Sequence, residues 1–170
     1  MKAFSTYLLG LSLTLAVAGC SKKADPVAAA PAVSANTALL TTPKWRISAI
    51  VGTTNFAGQI ITVDGYAGFP ACQKDNFAKF NIDKSAVADE GATKCSGTDP
   101  QSKQGTWSFN TAETQLTTVD STVPAGSPNS SVTADLLQLT ATTLQVRTTN
   151  TQTISGVTVV TTATTTYTAF

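Results

Sequence analysis

Beyond residue 43, apolar side chains recur at every second position, the spacing of a strand with one buried face. In "PKWRISAIV" Trp45, Ile47, Ala49 and Val51 share a face, and Lys44, Arg46 and Ser48 share the other. Gln59–Val63 predicts a second strand. In "NFAKFNID" Ala78, Phe80 and Ile82 line up, with Lys79 and Asn81 opposite. In "GTWSFN" Trp107 and Phe109 alternate with Thr106 and Ser108. Gln115–Val119 follows closely, so Asn110–Thr114 reads as a hairpin turn. Leu137 and Leu139 face one way. Beyond a turn at Thr140–Thr143, Leu144 and Val146 do the same, with Gln145 and Arg147 outward. Ser155-Gly156 is a further turn signal. The last segment puts Val157, Val159, Ala163 and Tyr167 on one face and Thr158, Thr162, Thr164 and Thr166 on the other. Threonine suits a wet strand face, because its β-branch favours extended backbone and its hydroxyl stays hydrated.

Roughly eight or nine strands with short connections predict an all-β, antiparallel, up-and-down sheet. Such a sheet leaves adhesive edges unless it closes. Closure at about eight strands gives an interior that side chains fill or that holds one small ligand. A two-sheet sandwich is the rival, and the absence of a long crossover favours the barrel. Two segments break the alternation. Gly65–Lys74 contains Gly65, Gly68 and Pro70 and reads as a loop. Asp89–Lys103 reads as a second loop. Tyr66 and Phe69 of the first are expected to cap one end of the sheet.

Upstream of residue 43 the pattern changes. Met1-Lys2 is followed by an apolar run from Ala3 to Ala18, broken by Ser5, Thr6, Ser12 and Thr14. It is shorter than the ~18–20 apolar residues of a spanning helix, and a charged start, short apolar middle and small-residue end describe a secretory signal. Val17-Ala18-Gly19-Cys20 resembles the bacterial lipobox. That resemblance implies cleavage after residue 19 and acylation of Cys20, and two or more acyl chains hold a protein stably at a bilayer without spanning it. Ser21 follows where an aspartate would favour inner-membrane retention. The expected location is the outer membrane, lipid-anchored, facing the periplasm or the cell surface. Residues 20–42 then read as lipidated cysteine and Ala/Pro-rich tether, since Pro26 and Pro31 oppose a helix through Ala28–Ala30. Residues 43–170 form one domain.

Composition narrows the chemistry. The full chain has eleven basic and ten acidic side chains, and cleavage would remove Lys2. A balanced chain without a basic stripe has no field to attract nucleic acid. Histidine is absent, which excludes triads and dyads that need it and the commonest transition-metal ligand. With Cys20 acylated, Cys72 and Cys95 remain. Paired cysteines in exported domains are usually bridged, and this pair would contribute roughly 3 kcal/mol by chain entropy. The rival, a two-thiolate metal or redox site, lacks C-x-x-C spacing and other soft ligands.

The order "PKWRISAI", "PACQKDNFAKFNI", "GATKC", "GTWSFN", "LLQLTATTLQVRTT" resembles the lipocalin-like domain of bacterial, Bacteroidetes-type, outer-membrane lipoproteins. The matching positions are Trp45, Cys72, Asp75, Phe80, Gly91, Cys95, Trp107, Phe109, Leu139, Thr142 and Leu144. The resemblance implies an eight-stranded calyx and names no ligand. It departs from full lipocalins in having Pro43-Lys44-Trp45 where they carry G-x-W, and in Arg147, the only late arginine, which the alternation points outward.

The candidate lumen residues are Trp45, Phe80, Trp107, Phe109, Leu137, Leu144 and Tyr167, which would either line a cavity or fill the barrel. Asp75 reads as a turn residue or a polar contact at the mouth. Asp89-Glu90 could pair for acid–base work, but adjacent acids before Gly91 describe a solvated turn. Asp120-Ser121-Thr122 resembles a Bacteroidetes O-glycosylation tripeptide, with Ser121 as acceptor. Phe170 is the terminal aromatic common in spanning barrels, but its face is mostly threonine, not lipid-facing apolar. The expectation is a monomeric, membrane-tethered barrel without catalytic residues, metal or cofactor. It would bind a small apolar or amphipathic molecule, or else serve as a dry structural or protein-interaction module.

Overall fold

The structure, a computed structural model, describes residues 32–124, 127 and 130–170. The leader at 1–19, Cys20 and the tether as far as Pro31 lie outside the described residues. Helix α1 (Ala35–Thr41) is followed by nine antiparallel strands: β1 (Lys44–Phe56), β2 (Gln59–Asp64), β3 (Phe77–Phe80), β4 (Ser85–Asp89), β5 (Ser102–Phe109), β6 (Gln115–Asp120), β7 (Ser131–Leu139), β8 (Thr143–Ile154) and β9 (Val157–Ala169). Their order is β2-β1-β3-β4-β5-β6-β7-β8-β9, and β1 also pairs with β9. Eight strands therefore close into a barrel, and β2 is an extra strand outside it. β1 meets β3 only over Lys44–Arg46 and then β2 from Val51 onward. The distal parts of β1, β2, β8 and β9 thus stand as a four-stranded extension beyond one rim.

Two β-bulges set which side chains enter the barrel. In β1 the register against β9 runs Ile47↔Tyr167 and then Ala49↔Thr166. Ser48 is the extra residue, so Ile50 and Gly52 continue the inward face of Trp45 and Ile47. The expected inward placement of Ala49 and Val51 is corrected, and Val51 is 43% exposed. In β7 the register runs Leu136↔Val146 and then Gln138↔Gln145. Leu136 points inward and Leu137 is 43% exposed. A single extra residue carries everything beyond it to the opposite face. Ile82 also departs from expectation: β3 ends at Phe80, and Ile82 lies exposed in the turn to β4.

The segment expected to be tether as far as residue 42 contains α1, a correction to the boundary at 43. Ser34 caps it by accepting from the Thr37 amide at 3.1 Å. A helix this short draws little from propensity and holds by burial. Leu40 is fully buried against Trp45, and the Trp45 indole N–H donates to the Leu40 carbonyl at 2.9 Å. Lys79 Nζ donates to the carbonyls of Thr41, Thr42 and Pro43 at 2.5, 3.0 and 3.3 Å, satisfying the end of the helix. The helix closes one end of the barrel. The core, Leu40, Trp45, Phe80, Trp107, Leu116, Ala134, Leu144 and Val146, is gathered at that end.

Candidate ligand-binding lumen

Toward the opposite end the side chains thin out. Ala78 pairs with Ala88, and Phe80 with Ala86. Ala86 in turn faces Gly105 on β5. Small residues on β3 to β5 leave space where larger ones would meet across the barrel. Three cavities of about 330, 250 and 200 Å³ result. The first two share Ala78, Ala88 and Lys103, and the last two share Phe80 and Thr118. Tyr167 lines all three, so they read as one lumen running from the mouth to the packed core.

Tyr167 is placed by the final strand, paired with Ile47 on one side and Leu144 on the other. Burial pushes its phenol above the ordinary tyrosine value. It therefore stays a neutral hydroxyl at physiological pH. Among the described residues nothing hydrogen-bonds to it. The deepest cavity is otherwise bounded by Phe80, Leu116, Ala134, Leu144 and Val146, with neutral hydroxyls from Thr118, Thr148 and Thr165. Among the described residues, charge lines the lumen only toward the mouth, where Lys103, Asp89, Glu90 and Asp120 border the two outer cavities. Hydrogen bonds from Thr122 lower the Asp120 carboxyl, and the Lys103 ammonium lowers it further.

Of the residues expected to form the lumen, Phe80, Leu144 and Tyr167 line open space. Trp45 backs the first cavity but is fully buried, so it packs behind the wall. Trp107 and Phe109 fill the barrel: Trp107 is 2% exposed and edge-on to both Phe80 and Phe109, and its indole N–H donates to the Asn81 carbonyl at 2.9 Å. Lys84 Nζ sits 3.8 Å from the Trp107 ring centre and covers it from outside. Leu137, turned outward by the bulge, takes no part. Lys103, Thr118 and Thr165 were missed, because polar residues in an alternating strand read as the solvent face. Arg147 points outward as expected and pairs with Asp135 at 3.3 Å.

The mouth is framed by the two expected loops. Cys72 and Cys95 form a disulfide, with Cα atoms 5.2 Å apart. Asp75 reinforces it across the same gap, accepting from the backbone N–H groups of Ala92 and Thr93 and from the Thr93 hydroxyl, all at 2.8 Å. These bonds, that of the Thr93 hydroxyl foremost, hold the Asp75 carboxyl below its ordinary value. Asp89 accepts from the Gly91 amide and from Gln101 Nε2. Both carboxylates are therefore committed to shaping loops. Tyr66 and Phe69 stack on one another, 5.9 Å between ring centres, and neither lines the three cavities. Ser121 is exposed in the turn after β6, where Asp120 accepts from the Thr122 amide and hydroxyl.

Strand order, closure and a lumen open at one end define the class: an eight-stranded antiparallel calyx of lipocalin-like architecture. Among solved structures the chain is similar to a lipocalin-like protein from Bacteroides uniformis, at 14% identity and a TM-score of 0.41, over 76% of this chain and 98% of that one. No protein-family model matches the chain, and no curated protein matches it.

Proposed function

We propose that this protein is a membrane-tethered carrier or sensor that holds a small apolar or amphipathic molecule in its barrel, without enzymatic chemistry. One observation carries the reading: three neighbouring cavities share lining residues inside the barrel, and the outermost alone has about 330 Å³, within the range of small-molecule sites. A barrel used only as a rigid module gains by filling that space, because each unfilled methyl-sized gap costs about 1 kcal/mol. Of the three carboxylates that could have served catalysis, Asp75 and Asp89 are bound to loop backbone, and Glu90 stands at the mouth without its pair.

Acylation at Cys20 would anchor the chain at the outer membrane. The chain enters the barrel through α1, at the closed end. Glycosylation of Ser121 would be compatible with its exposed turn.

The test is native mass spectrometry of the mature chain before and after organic extraction. An adduct lost on extraction supports the binder and begins to identify its ligand. A bare mass, joined with failure to take up the apolar fluorophore N-phenyl-1-naphthylamine, transfers the assignment to a protein-interaction module. Mass analysis of the N-terminal peptide tests the acyl chains on Cys20.

A further inference from the structure

The lumen has a polarity of its own, and this deepens the binding reading above, on which it rests. We propose that the barrel selects an elongated apolar molecule carrying a neutral hydrogen-bond acceptor, an ester or ketone oxygen met by the Tyr167 hydroxyl, and discriminates against free carboxylates.

Three observations support this. Tyr167 borders all three cavities, and its hydroxyl has no partner among the described residues. Tyr167 is half-buried and its hydroxyl opens onto the lumen, where a bound molecule can accept from it. The same group stays protonated, so it offers a donor. Among the described residues the deepest cavity carries no charged side chain; its polar groups are Tyr167 and the hydroxyls of Thr118, Thr148 and Thr165. A carboxylate brought there would lose its hydration with no cation to replace it, whereas an ester oxygen sheds far less. Finally, the mouth does not favour an anionic head. Among the described residues Lys103 is the single cation lining the outer cavities, and Asp89, Glu90 and Asp120 line them with it. An anion held at the rim would meet three like charges for one opposite.

The tail has a suitable place. Toward the mouth, the inward faces of β1 and β9 continue from the barrel onto the extension. Ile50 and Gly52 face Thr165 and Ala163 there, and Phe56 faces Val159. Phe56 is 47% exposed. A chain longer than the lumen could lay one side against Ile50, Ala163, Phe56 and Val159 there, among the threonines of the same face.

The experiment is a competition read by native mass spectrometry on the full chain, released from detergent micelles. The ligands are dodecanoic acid, its methyl ester, and tridecane. The acid and ester share a tail and differ in head charge, and tridecane has the tail without an acceptor. The ester is expected to exceed both others in occupancy by about fivefold at neutral pH, the ratio equivalent to one neutral hydrogen bond. Tyr167→Phe should reduce the ester to the level of tridecane and leave tridecane unchanged. Binding of the acid at or above the ester, with loss in Lys103→Met, would overturn the proposal in favour of an anionic head at the mouth. Equal ester and tridecane, or an ester insensitive to Tyr167→Phe, would overturn it while the binding reading stands. If none of the three binds, the proposal and the binding reading fall together.

Discussion

Trp45 donates its indole N–H to the carbonyl of Leu40 across 2.9 Å, and both side chains are fully buried. The contact joins a short helix to the first barrel strand, so the folded unit begins upstream of the first strand. Leu40→Ala should cost about 2–5 kcal/mol in urea or thermal unfolding. A chain starting at Pro43 should lose at least as much, with a red-shifted tryptophan emission as Trp45 becomes wet. A truncation that unfolds at the same midpoint as the longer chain would remove α1 from the cooperative unit.

The loops at the mouth are cross-linked twice, by the disulfide and by Asp75. Replacing both Cys72 and Cys95 with serine should cost roughly 3 kcal/mol by the chain-entropy relation for their separation of 23 residues. Differential scanning calorimetry under oxidising and reducing conditions would show the loss as a lower midpoint.

Gly91 sits between Asp89 and the segment that Asp75 holds, at φ +71°, and a Cβ there would overlap the Asp75 carbonyl. Gly91→Ala is therefore expected to be strained by about 1–3 kcal/mol, with hydrogen exchange accelerated at Ala92 and Thr93. Protonating Asp75 should loosen the same amides. Its carboxyl is depressed in the folded state, so its contribution is full above the unfolded value of about 3.9 and is lost as pH falls below that. Asp75→Asn should flatten the acid dependence of exchange at these positions.

Tyr167 makes the opposite prediction at high pH. Its folded value is raised, so above the unfolded value of about 10 the unfolded chain releases a proton that the folded chain keeps. Stability should fall with pH from there until the folded value is passed. Tyr167→Phe should remove that part of the alkaline decline, measured as the urea midpoint against pH. A variant whose midpoint declines as steeply as the parent's would contradict the buried placement of the phenol.

The bulge in β7 is testable by neighbours. Leu136 packs against the core and Leu137 is exposed. Leu136→Ala should destabilise by about 2 kcal/mol, and Leu137→Ala should stay within about 0.5 kcal/mol of the parent. The reverse ranking would restore the unbroken alternation and the lumen position first expected for Leu137.

The strands, their turns and the disulfide were legible because they are written in local terms. Alternation marked Trp45 and Ile47, Trp107 and Phe109, and Leu144 and Val146. Ser155-Gly156 marked a turn whose two residues both have positive φ. The two loops announced themselves by glycine, proline and cysteine. Strand β4 escaped, because "SAVAD" is short and its inward residues are alanines. The helix escaped because its stability comes from burying Leu40 against a strand, which its composition does not display.

What the sequence determined by itself is the extended backbone, the antiparallel class and the absence of histidine chemistry, since these follow from side-chain type and period. What only the tertiary structure decided is which residues face inward. A bulge shifts register through pairing with a neighbouring strand, so Ser48 and Leu137 could not reveal it in isolation. The lumen likewise exists because Ala78, Ala86, Ala88 and Gly105 meet from three strands. Small residues far apart in the chain leave a space only once the barrel brings them together.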